Sequence, residues 1–190
     1  TFGWNATEIT VRDTDALAAK LARSPFRIIG PPANLTGFDT IRAMQVLGPA
    51  GECLYLTDVR AESSLAQARA AVGQVFIVVA SGPDIDALRA FYGAHFVNEV
   101  SEPVAIPIGV ISTANGLPPD TRHKLALVTL PDGTRIELDQ YPPCTGPRPK
   151  QPGHLPPGMA IVSFRAPPGQ DARFLHGAAG ELIELCPTPS

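Results

Sequence analysis

The sequence predicts an α+β fold built from repeated strand–helix–strand modules, and three observations lead there. A glycine turn followed by a short strand of one pattern occurs three times, at Gly51-Glu52-Cys53-Leu54-Tyr55-Leu56, Gly133-Thr134-Arg135-Ile136-Glu137-Leu138 and Gly180-Glu181-Leu182-Ile183-Glu184-Leu185. The first two copies follow stretches in which period-two alternation gives way to helical spacing. With 190 residues, 44% of them hydrophobic, the chain can bury a sizeable core.

In the first module Ile9, Thr10 and Val11 alternate as a strand. Asp13 is placed to cap a helix whose apolar face carries Leu17 and Leu21. Ser24-Pro25 ends that helix, because the residue before proline is driven out of helical geometry. A strand over residues 26–29 is expected to stop at Gly30-Pro31-Pro32, and residues 41–47 supply the next one. Turn-forming Gly48-Pro49-Ala50 then leads into the first copy of the repeated strand, as in a hairpin.

The second module repeats the order. Residues 75–79 form an apolar strand, Asp84 caps a helix, and Ile85, Leu88, Phe91 and Tyr92 make its buried stripe. Strands are expected over 97–104, 106–113 and 124–130, the last two separated by the loop Asn115-Gly116-Leu117-Pro118-Pro119, before the module ends at Glu137-Leu138. A proline- and glycine-crowded connector covers 141–157. The third module keeps a first strand over 159–164 and a last over 181–186, with too few residues between them for a helix and a return strand. The expected division is therefore 1–60, 74–140, the connector 141–157, and a shortened unit over 158–187 that pairs with the second.

Composition limits the function. Fifteen basic and 18 acidic residues, a net charge of −3, contain no long run of one sign, so nothing marks a nucleic-acid partner. No apolar run approaches the roughly 20 residues that cross a bilayer. Cys53, Cys144 and Cys186 lack zinc-site spacing and suit reduced thiols in a cytoplasmic protein. No Gly-x-Ser-x-Gly setting surrounds any serine, which leaves hydrolase chemistry unsupported.

A strand, a helix and three strands ending in Gly-x-x-Ile-Glu-Leu resemble the module of the vicinal oxygen chelate superfamily, which includes glyoxalases, bleomycin-resistance proteins and extradiol dioxygenases. The resemblance covers about residues 8–186. It implies βαβββ modules whose curved mixed or antiparallel sheets pair to form a cup, and an odd number of modules implies a further one upstream. It also implies a divalent metal (Mn, Fe, Zn or Ni), held by His or Glu near the start of a first strand and by Glu in a last strand.

Glu137 and Glu184 match the last-strand Glu, whereas Tyr55 stands there in the first module. The first strands open Asn5-Ala6-Thr7-Glu8, Gln74-Val75-Phe76 and Gly158-Met159-Ala160, without histidine, and His123 opens the strand before Glu137. The ligand-binding candidates are Tyr55, His123, Glu137 and Glu184, with Glu137 as the metal ligand. Against these stand solvated carboxylates for Glu137 and Glu184, a packed aromatic for Tyr55 and a surface histidine for His123.

The expected function is binding of a small organic molecule, aromatic or oxoacid-like, in a cup whose metal catalysis is weakened or lost. The alternatives are a metal-dependent lyase, isomerase or ring-cleaving dioxygenase using Glu137, and a structural or regulatory module with a filled cup. Unpaired strand edges make a homodimer the expected assembly.

Overall fold

The computed structural model describes residues 1–35, 38–60, 67–96, 99–166 and 169–187. The chain forms two compact units, one of Ala6–Val78 and one of Thr1–Asn5 with Val79–Ser190. Strands β1 (Gly3–Val11) and β5 (Val72–Gly82) each contribute residues to both.

The unit Ala6–Val78 holds helix α1 (Thr14–Leu21) and strands β2 (Arg27–Leu35), β3 (Phe38–Leu47) and β4 (Cys53–Val59), in the strand order β2-β3-β4-β1-β5. β1 and β4 run parallel, and β3 is antiparallel to both β4 and β2. Parallel strands need a crossover, and α1 with β2 and β3 supplies it. Its core is Val11, Met44, Val46 and Leu56, against which Ile9, Leu54 and the α1 residues Leu17, Ala18 and Leu21 pack. Each of the four buried side chains Val11, Met44, Val46 and Leu56 contributes about 1.5–3 kcal/mol through burial.

α1 begins where expected: Asp13 Oδ1 accepts from the Ala16 amide at 2.9 Å, satisfying a donor that the first turn leaves free. Asp13→Ala is expected to lower stability by about 1 kcal/mol, read as an earlier urea midpoint at unchanged slope.

β2 departs from expectation by continuing through Gly30, Pro31 and Pro32 to Leu35. It is the edge strand, and its pairing with β3 shifts register between Ile28 and Gly30 and again between Gly30 and Ala33. Prolines are tolerated there because an edge strand need not donate every amide.

The other unit holds α2 (Ile85–Phe96), β6 (Val104–Pro107), α3 (Gly109–Ala114), β7 (Arg122–Thr129) and β8 (Arg135–Gln140), in the strand order β5-β8-β7-β6. Asp84 Oδ1 accepts from the Asp86 and Ala87 amides, and the α2 stripe buries Ile85, Leu88, Tyr92 and Phe96, with Phe91 half-buried. Two strand assignments are corrected. In place of a strand over 97–104, Val100 makes an isolated bridge to Val128 and β6 begins at Val104; residues 97 and 98 lie outside the described set. In place of a strand over 106–113, α3 follows β6. Pro107 ends the pairing, and burial of Ile111 and Ser112 outweighs the β propensity of Val110, Ile111 and Thr113.

A separate three-stranded sheet, in the same unit, contains β9 (Ile161–Arg165), β10 (Arg173–His176) and β11 (Leu182–Cys186), in the order β10-β11-β9. β10 is a strand that the sequence reading omitted. β9 and β11 run parallel with Glu184 opposite Ser163, as β1 and β4 do with Tyr55 opposite Glu8.

All three repeated turns share one hydrogen-bond pattern. Gly48 donates to the Glu52 carbonyl, Leu130 to that of Thr134 and Gly177 to that of Glu181, each at 2.8 Å. Three residues into each turn Gly51, Gly133 and Gly180 adopt φ of 83°, 84° and 83°, a conformation that side chains disfavour.

Candidate functional site

Strand alternation sorts the polar residues of each unit onto one face. In the unit Ala6–Val78, Ile9 and Val11 of β1 and Leu54 and Leu56 of β4 join the α1 core, so Glu8, Thr10, Tyr55 and Thr57 occupy the other face. The parallel register sets Glu8 beside Tyr55 and Thr10 beside Thr57. Thr57 Oγ1 donates to Glu8 Oε1 at 2.5 Å, and both residues are buried. Burial pushes the Glu8 carboxyl up to about 7, against the opposing effect of the Thr57 hydrogen bond.

On the β7–β8 pair, fully buried Ala126, Val128, Ile136 and Leu138 form one face. The opposite face carries Glu137 across from Leu127, Asp139 across from Leu125, and His123 two residues further along β7. Asp139 is fully buried, and neither carboxylate oxygen has a hydrogen-bond partner among the described residues. Its carboxyl rises to about 7 because burial penalises the charged form. His123 is buried at the start of β7, with Nε2 3.0 Å from the Ser112 hydroxyl on α3, and burial lowers its pKa.

No family model matches the sequence, and no curated protein matches it. Solved structures do match in fold. Glyoxalase I from Zea mays aligns over 96% of this chain and 66% of its own, at 14% identity and a TM-score of 0.60. A putative dioxygenase from Bacillus subtilis aligns over 100% of this chain and 64% of its own, at 11% identity and a TM-score of 0.59. Methylmalonyl-CoA epimerase from Mycobacterium tuberculosis aligns over 74% of this chain and 89% of its own, at 16% identity and a TM-score of 0.51.

The chain shares the glyoxalase-like fold of these structures. The chain spans about two thirds of the length of the glyoxalase I and dioxygenase structures, and at these identities the likeness concerns the fold.

In this glyoxalase-like fold the anticipated chelate does not assemble among the described residues. Among the described residues no three His, Cys, Asp or Glu side chains come together in a way that could hold a metal ion. Tyr55, a poor ligand while protonated, stands beside Glu8. Within each unit the described residues therefore do not supply the donor set of a divalent ion.

The four sequence candidates separate. Glu137 and His123 share the β7–β8 face, while Tyr55 lies in the other unit. Glu184 belongs to the three-stranded sheet, where it accepts a hydrogen bond from Ser163 of β9. His123 is buried rather than on the surface.

Sequence reading missed Glu8, Asp139 and Ser112. Alternation could have found the first two: Glu8 has the parity of Thr10, opposite to Ile9 and Val11, and Asp139 lies two residues beyond Glu137 on the same face. Nothing local marked Ser112, since the helix that aims it at His123 reads as a strand.

Proposed function

We propose that this chain binds a small, oxygen-bearing organic molecule, aromatic or oxoacid-like, against the β7–β8 face, without a resident divalent metal. The observation that carries the reading is Asp139, a buried carboxyl with no protein partner among the described residues. A carboxyl near 7 is partly protonated at neutral pH and can donate its O–H to a ligand oxygen. Glu137 and the neutral His123 lie on the same face.

Elemental analysis of protein purified without an affinity tag tests the metal-free part. Sub-stoichiometric Mn, Fe, Zn and Ni is expected. Stoichiometric metal lost in Glu137→Ala would overturn the reading and restore the metal-dependent lyase, isomerase or dioxygenase. For the ligand, phenylpyruvate and pyruvate are expected to raise the melting temperature of the wild type but not of Asp139→Asn. No shift with either compound, or equal shifts in both proteins, would count against this site.

A second reading, a proton-transfer enzyme of isomerase or lyase type, is favoured by buried Asp139 beside His123 on one face, with a carboxyl near 7, where general acid–base groups work best. The same proposal includes a cytoplasmic homodimer joined at β6, an edge strand that leaves Val104 and Ile106 exposed. A monomer by sedimentation would argue against that assembly.

A further inference from the structure

A cavity of about 490 Å³ opens elsewhere in the Thr1–Asn5 and Val79–Ser190 unit, between the start of β1, the proline-rich connector and the turn before β11. It shares no residue with the β7–β8 face. Its floor is apolar, including Phe2, Trp4, Met159 and Leu182, and its volume lies within the range of small-molecule pockets.

The charge around it is one-sided. Its cations, Arg148 and Lys150, line the cavity beside the imidazole rings of His154 and His176, and among the described residues neither cation has an ion-pair partner in the structure. Arg148 is held in place by carbonyl acceptors: it donates to Trp4, to Met159 at 2.7 Å and to Pro157 at 3.3 Å, none of which neutralises its charge. The lone acid of the lining is Glu181, and it is turned to other use. Glu181 Oε1 accepts from the buried Tyr92 hydroxyl at 2.7 Å, and Oε2 accepts from the Ala179 amide at 3.0 Å. A guanidinium half-removed from water and facing an apolar floor has a favourable partner in an anion with an apolar body.

We propose that this cavity is a second binding site, for an aromatic or short-acyl carboxylate whose apolar body lies against Trp4 and Met159 and whose carboxylate meets Arg148, Lys150 and His176. Exposed Lys150 supplies charge and His176 a hydrogen-bonding ring at the mouth, while buried Trp4 belongs to the apolar floor.

Trp4 is the chain's sole tryptophan, so its fluorescence reports on this cavity directly. Titration of the full chain with 2-naphthoate is expected to quench Trp4 saturably. 2-Naphthalenemethanol, which keeps the ring system and lacks the charge, is expected to bind about tenfold more weakly. The Lys150→Ala/His176→Ala double variant, altered at exposed positions and retaining Arg148, is expected to show a reduced preference for the acid and to keep its affinity for the alcohol. Asp139→Asn, at the other face, is expected to leave the titration unchanged, which keeps failure of this site distinguishable from failure of the first. Non-saturating quenching, equal affinity for acid and alcohol, or an unchanged preference in the double variant would overturn the proposal.

Discussion

Between pH 4 and pH 8 the stability difference between Asp139→Asn and the wild type is expected to swing by about 4 kcal/mol in favour of the variant. The folded carboxyl titrates at about 7 instead of its ordinary 3.8, so the folded state holds its proton where the unfolded chain has lost it. Below about 3.8 both states are protonated and the group adds no penalty. As pH rises from there through 7 stability drains away, and above 7 the full cost of a buried, unpaired charge is present. An asparagine amide does not titrate. It carries a constant cost of about 1–3 kcal/mol for its own unpaired groups, so the variant starts below the wild type in acid and overtakes it in mild base. Glu8→Gln is expected to behave alike with a swing of about 3 kcal/mol. His123 acts with the opposite sign, since a lowered pKa costs stability as pH falls below 6.5, but it is common to all these proteins and cancels in the differences. Urea unfolding at three pH values measures the effect. A pH-independent offset would mean that Asp139 reaches water.

Trp4→Ala is expected to cost about 3–5 kcal/mol and to lower the melting temperature by roughly 10 °C. The indole is 1% exposed, meets Tyr92 edge-on with centroids 6.2 Å apart, and lies 6.0 Å from the Phe164 ring. Its Nε1 donates to the Leu182 carbonyl at 2.8 Å, tying β1 to the last strand of the three-stranded sheet. Trp4→Phe retains much of the volume and loses the donor, so it is expected to fall between the two. Thermal melts followed by circular dichroism separate these cases. A loss below 1 kcal/mol for the alanine variant would show that the ring does not support this sheet.

The legible parts of the fold were those set by neighbours in the chain. The three turns carry glycine where φ is positive, and Asp13 and Asp84 stand where a first helical turn needs an acceptor. The illegible parts were set by partners far along the chain. Strand β2 runs through Pro31 and Pro32 because it is an edge, and residues 109–114, β-branched enough to read as a strand, coil into a helix that buries Ile111 and Ser112. The candidate site divides the same way. Residue type and strand position singled out Glu137 and His123, yet neither the register that sets them on one face, nor the burial of Asp139, nor the hydrogen bond that Glu184 takes from Ser163 follows from spacing.

By itself, then, the sequence determined the repeated module, its turns and caps, and the substitution of Tyr55 where the related module carries Glu, because each depends on backbone conformation or residue identity at a single place. The tertiary structure alone decided which carboxyls are buried, that no three donors converge among the described residues, and that Arg148 and Lys150 line a cavity whose lone acid is already engaged. Those properties arise from solvent exclusion and from distances between strands, and a linear chain carries neither until it is folded.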